Sequence, residues 1–89
     1  MGIFVVFCVG NVAAVRRALQ KILPENHLEV ADGQFLVASQ GTAMDLSNRL
    51  GITDGENGSA IVFTMGSYYG RASTNIWDWI KSKAESTNG

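Results

Sequence analysis

Asp32-Gly33 stands between two mostly apolar runs, Leu28-Glu29-Val30-Ala31 and Gln34-Phe35-Leu36-Val37-Ala38. Asp-Gly in that setting marks a two-residue hairpin, because the turns that match strand twist need positive φ at both central positions. The pair must be antiparallel. The spacing predicts Ala31 opposite Gln34, Val30 opposite Phe35, Glu29 opposite Leu36 and Leu28 opposite Val37. Strand side chains alternate, so Leu28, Val30, Phe35 and Val37 then share the core face. His27, Glu29, Ala31, Gln34, Leu36 and Ala38 share the other face, which is mixed rather than polar.

The flanking segments build outward from this hairpin. Residues 3–9 form a β-branched and aromatic run with both faces apolar, as in a strand covered on both sides. Gly10 permits a turn, and Asn11 suits a helix N-cap. Helix one is expected from Val12 to Leu23, with Val12, Val15, Ala18, Leu19, Ile22 and Leu23 on one face and Pro24 as terminator. Thr42 and Asp45 fit a capping box for helix two, which carries Ala43, Leu46 and Leu50 at helical spacing. Gly51 suits a left-handed stop, with Ile52 folding back on the last turn. A polar loop over residues 53–59 leads to a fourth strand, Ala60 to Met65, again apolar on both faces. Helix three should begin near Asn75, with Asp78 three residues on. Ile76, Ile80 and Ala84 lie central on its apolar arc, and Trp77 and Trp79 lie at the edges.

The order strand, helix, strand, strand, helix, strand matches the split βαβ, ferredoxin-like pattern. The expected class is α+β: a βαββαβ sandwich with a four-stranded antiparallel sheet plus an extra C-terminal helix. With 89 residues the chain forms one domain. Its ordered core is expected over about residues 2–84, with residues 85–89 a frayed tail. Helices one and two occupy one sheet face. The opposite face would be bare, and apolar surface of that extent is unfavourable. Helix three is the natural cover, from its own chain or from a partner. A symmetric homodimer through the sheet is the other solution and is favoured by analogy with small domains of this kind. Leu36, Ile76, Trp77, Trp79 and Ile80 are the candidate interface residues.

Hydrophobic content of 46% and charged content of 17% argue against a disordered chain, and a net charge of -1 supplies no global basic field. Nucleic-acid binding would need a local patch. Arg16, Arg17 and Lys21 on the polar face of helix one are the candidates, against the alternative of an ordinary solvated face. One cysteine, Cys8, excludes an intramolecular disulfide and reads as a small core hydrophobe in a reducing compartment. The N-terminal apolar run lacks a basic flank before it, is too short to span a bilayer and has Val6 where a myristoylation motif needs Ser or Thr. A soluble, cytoplasmic chain without membrane contact is expected.

Catalytic chemistry finds little footing. The single histidine, His27, has no nucleophile or acid at a recognisable spacing, and no metal-ligand cluster is visible. No catalytic residue, metal or cofactor is assigned, and the balance leans away from an enzyme. The best functional candidate is Ser67-Tyr68-Tyr69-Gly70-Arg71. Glycines let the chain turn and a ligand approach, tyrosines offer stacking faces, and Arg71 can bind carboxylate or phosphate. Thr74 and the first amides of helix three lie beside it, so Tyr68, Tyr69, Gly70, Arg71 and Thr74 form a candidate anion or nucleotide site. The alternative is that the tyrosines pack over the sheet end while Arg71 pairs with Asp78 or Asp45.

In element order and size, and in Tyr69-Gly70-Arg71 followed by Trp77-Asp78-Trp79, the chain resembles the small ferredoxin-like proteins grouped with the Cas2 and VapD ribonucleases. That resemblance implies the fold and a dimer. The nucleases of the group carry a metal-binding aspartate near the end of strand one. Here the position falls among Cys8, Val9, Gly10 and Asn11, with no carboxylate, which puts metal-dependent cleavage in doubt. The expected function is a non-enzymatic dimeric binding module that uses the 66–80 loop and helix to bind a partner protein or its own copy. Nucleic-acid binding through helix one and Arg71, or a regulatory domain for small anions, are the alternatives.

Overall fold

A chain whose strands are apolar on both faces needs two covering layers, and that requirement governs the architecture. The structure, a computed structural model, describes the backbone of residues 2–88 and the side chains of residues 2–84. The elements are β1 (Gly2–Gly10), α1 (Val12–Ile22), β2 (His27–Ala31), β3 (Gln34–Ser39), α2 (Ala43–Arg49), β4 (Ser59–Thr64) and α3 (Thr74–Asn88). Each neighbouring strand pair is antiparallel, in the order β2-β3-β1-β4. The chain is therefore α+β, with a four-stranded antiparallel sheet and three helices among the described residues.

Local signals set the helix ends. Asn11 adopts a left-handed conformation (φ 49°) and its side-chain oxygen accepts from the Ala14 amide at 3.3 Å. Thr42 and Asp45 form the reciprocal capping box, at 2.8 and 3.1 Å. At the far end of α2 the Gly51 amide donates to Asn48 and the Ile52 amide to Ser47, the two bonds of a Schellman stop. That stop turns Ile52 into the core. α1 ends at Ile22, one residue before the expected Leu23, which serves as its C-cap.

The hairpin departs from its expected register. Ala31 opposes Gln34 as the spacing predicts, but Glu29 opposes Phe35, Leu28 opposes Leu36 and His27 opposes Val37. Val30 is the extra residue of a β-bulge between Glu29 and Ala31. Only Gly33 of the turn has positive φ (78°). The turn is thus not the mirror-image type, and the bulge supplies twist that such a turn would have provided. Gly33 is held tightly: a Cβ there would lie 3.2 Å from a Val12 methyl. Its carbonyl accepts from the Cys8 amide at 2.8 Å. Val30 consequently leaves the face of Phe35 and Val37 and packs in the opposite layer.

Two cores result. Phe4, Val6, Phe35 and Val37 of the sheet meet Val15, Ala18, Leu19, Leu46 and Leu50 of α1 and α2. On the other face Ile3, Leu36 and Ile80 form a smaller core, with Val5, Val30, Met65, Ile76, Trp77 and Trp79 packed around it. α3 thus covers the sheet of its own chain. It begins at Thr74, one residue before the expected Asn75. The Ser73 carbonyl accepts from the Ile76 amide at 3.1 Å, and the Ser73 hydroxyl donates to the Asn75 side chain at 2.6 Å. The side chains beyond Ala84, where a frayed tail is expected, lie outside the described residues.

Candidate functional site

The polar face of α1 carries Arg16, Arg17 and Lys21 and no acid of its own. The hairpin brings the acids to it. Because the bulge sets Glu29 opposite Phe35, its carboxylate reaches α1 and accepts from Arg16 in bidentate fashion, at 2.7 and 2.6 Å. Asp32 accepts from the same guanidinium at 3.1 Å. The Gly33 amide adds a bond to Glu29 at 3.3 Å. The Arg16 bonds hold the Glu29 carboxyl below the ordinary glutamate value, assisted by the Gly33 amide and opposed by burial. The same hydrogen bonds, those donated to Glu29 first, raise the Arg16 pKa above its already high value. Arg16 is therefore committed within the chain, which leaves Arg17 and Lys21 on the exposed part of this face.

Cys8 is half-buried beneath this cluster. Burial pushes its thiol up, the charges of Glu29 and Asp32 push the same way, and Arg16 opposes them. His27 has a structural post: its Nδ1 donates to the Leu23 carbonyl at the end of α1, at 2.6 Å, and its ring tilts against Phe35.

The aromatic loop presents a different surface. Met65 is the last residue tied to β1, its amide donating to the Ile3 carbonyl at 2.8 Å. Residues 66–73 then run exposed to the start of α3. Tyr68 stacks on Trp77, with ring centroids 6.2 Å apart. Tyr69 is 92% exposed. Arg71 makes no hydrogen bond or ion pair among the described residues: the ion pairs there belong to Arg16, and Asp45, one of the two expected partners, closes its own capping box. Gly70 and Thr74 flank it. The candidate loop thus divides: Tyr68 is docked on α3, while Tyr69 and Arg71 remain open to solvent.

The candidate interface residues are drawn inward. Leu36 and Ile80 are buried in the second core, and Ile76, Trp77 and Trp79 pack on it. Trp79 also lies beneath the Lys83 ammonium, 5.9 Å from the ring centroid. That ammonium donates to the Glu25 carbonyl and to the Asn26 side chain, tying α3 over the start of β2. The uncovered surface lies elsewhere. Phe7, Val9, Ile61 and Phe63 are 44, 62, 50 and 50% exposed, on β1 and β4. Phe7 opposes Ile61, and Phe63 opposes Val5, so the patch continues the face that α3 covers only in part. Sequence reasoning passed over these four. Width was the available signal: four strands about 4.8 Å apart exceed what one helix of about 10 Å diameter can cover.

Among the described residues no cluster of His, Cys, Asp or Glu could hold a metal ion, and no pocket is present. No described helix is long and apolar enough to cross a membrane. No protein-family model, curated protein or solved structure matches the chain.

Proposed function

We propose that the chain is a non-catalytic, dimeric binding module in a ferredoxin-like βαββαβ arrangement with an added C-terminal helix. The strand order β2-β3-β1-β4 and the placement of α1 and α2 in one core support that arrangement. The observation that carries the dimer is the bare patch of Phe7, Val9, Ile61 and Phe63. Full burial of such a side chain contributes roughly 1.5–3 kcal/mol, so further covering of Ile61 and Phe63, the two on the edge strand β4, in each of two copies supplies a driving force. The likeness to the Cas2 and VapD group extends on this reading to architecture and pairing. It stops short of metal-dependent cleavage, because residues 8–11 offer no carboxylate.

Light scattering across a concentration series tests the dimer. The wild-type chain should dimerise at micromolar concentration. Ile61→Lys combined with Phe63→Lys should give a folded monomer. A wild-type chain that stays monomeric throughout would reject the proposal. Trp79 is a poor probe of the interface, since its removal disturbs the chain's own second core.

Anion binding at Arg71 is a second reading, supported by its exposed position and by the absence of an ion pair to it among the described residues. Inorganic phosphate or pyrophosphate should then raise the melting temperature of the wild type and not of Arg71→Ala. Nucleic-acid binding through α1 has lost its central cation to Glu29 and Asp32. Titration with RNA and DNA at low ionic strength should show weak binding or none.

A further inference from the structure

The two edges of the sheet are not alike. β2 is blunted by the bulge at Val30, by the charge of Glu29 and by Lys83 lying over its start. These are common devices against edge-to-edge pairing. β4, with the sequence Ser-Ala-Ile-Val-Phe-Thr, carries no charge and no proline, and the bulge in its ladder with β1 places the extra residue, Val9, on β1 and at the start of β4.

The hydrogen bonds define which groups of β4 face outward. The Cys8 amide donates to Gly33 on the β3 side, and the Met65 amide donates to Ile3 from the β4 side. In an antiparallel ladder the bonding direction alternates along each strand. Ile61 and Phe63, opposite Phe7 and Val5, therefore bond toward β1. Ala60, Val62 and Thr64 turn their backbone amides and carbonyls away from β1, at the free edge of the sheet.

We infer that β4 pairs antiparallel with the β4 of a second copy, centred on Val62, to give one continuous sheet across two chains; this rests on the dimeric reading above. The Val62-centred register uses all three outward-facing residues: Val62 meets the partner's Val62, and Ala60 meets the partner's Thr64. It also sets Ile61 opposite the partner's Phe63. The twofold axis of an antiparallel strand pair stands perpendicular to the sheet, so the α3 faces of both copies lie on one side. The bare patches then lie side by side: Ile61 and the partner's Phe63 cover one another as aromatic-aliphatic cross-strand pairs at the seam, and Phe7 and Val9 on β1 keep their exposure.

Charge selects a second copy over an unrelated strand. The loop before β4 carries Asp54 and Glu56, and the segment after it carries Arg71 as its only charge. Antiparallel self-pairing brings the acidic loop of each copy toward the Arg71 segment of the other, at both ends of the seam. A parallel pairing would set like charges together.

Three measurements on the full chain test the arrangement. Amide exchange should be slow at Val62 and Thr64 at dimer concentrations and fast on dilution, while Ile61 and Phe63 stay protected by β1 in both. Thr64→Pro removes an outward amide and leaves the β1 ladder intact, so it should weaken the dimer by roughly tenfold or more. Arg71→Glu should weaken it by roughly tenfold at low salt, and adding Asp54→Arg and Glu56→Arg should restore it. A dimer with fast exchange at Val62 and Thr64 that is indifferent to the charge reversal would overturn the edge pairing and leave the dimeric reading standing. A monomer at every concentration would overturn both. The exchange measurement on the wild type decides the matter even if Thr64→Pro fails to fold.

Discussion

Glu29 joins three parts of the chain through one carboxylate: the α1 guanidinium, the turn amide of Gly33 and the bulged strand that carries it. Its folded-state pKa lies below the ordinary value of 4.5. The unfolded chain therefore takes up a proton first as pH falls. The stability that Glu29 contributes is fully present above about pH 4.5 and is lost as pH falls through the lower, folded-state value. Melting temperatures of wild type and Glu29→Gln should thus differ most near neutrality, with wild type the more stable, and converge in acid. A constant gap down to the lowest pH at which both fold would contradict this linkage. Cys8 senses the same cluster. Burial and the adjacent carboxylates raise its thiol pKa, so alkylation near neutral pH should be slower than that of a free thiol and faster in Glu29→Gln. Equal rates in wild type and Glu29→Gln would mean that burial alone sets its reactivity.

At the scale of elements, Ile80 is, among the described residues, the one buried residue that α3 contributes to the second core, beside Ile3 and Leu36 of the sheet. Ile80→Ala should cost about 2–5 kcal/mol and shift the fluorescence of Trp77 and Trp79 to the red as α3 loosens. An unchanged spectrum with full stability would mean that α3 is held by its rim, through Lys83 and the tryptophans. The features legible in the sequence are those encoded within a few residues. The Asn11 cap, the Thr42–Asp45 box and the Gly51 stop each depend on side chains and dihedrals at fixed short offsets. The hairpin was legible as an antiparallel pair but not in register. Its bulge goes with an ion pair between residues 13 apart in sequence, a contact no local pattern encodes. The same limit applied to the candidate site. Arg71, Tyr68 and the tryptophans were conspicuous by composition, yet their division between exposed and docked depends on how far α3 reaches across the sheet.

For the molecule as a whole, the uneven covering of the sheet makes association and stability one quantity. Ile61 and Phe63 are half-exposed in the single chain, and the outward amides of β4 have no partner strand in the sheet. A second copy that buries them binds the folded chain and not the unfolded one, so it stabilises the fold by mass action. The wild-type melting temperature should rise steadily with protein concentration. In Ile61→Lys with Phe63→Lys it should be flat. Extrapolated to high dilution the variant should lie below the wild type by a constant amount, because both side chains are half-buried beside Phe7 and Val5 in the single chain. Raising the ionic strength should reduce the wild-type slope modestly, since Asp54, Glu56 and Arg71 add to the seam while apolar contact and strand pairing carry most of it. A wild-type melting temperature independent of concentration would show that the bare face contributes nothing to stability through a second copy. A slope abolished by salt alone would assign the association to the charged ends rather than to β4.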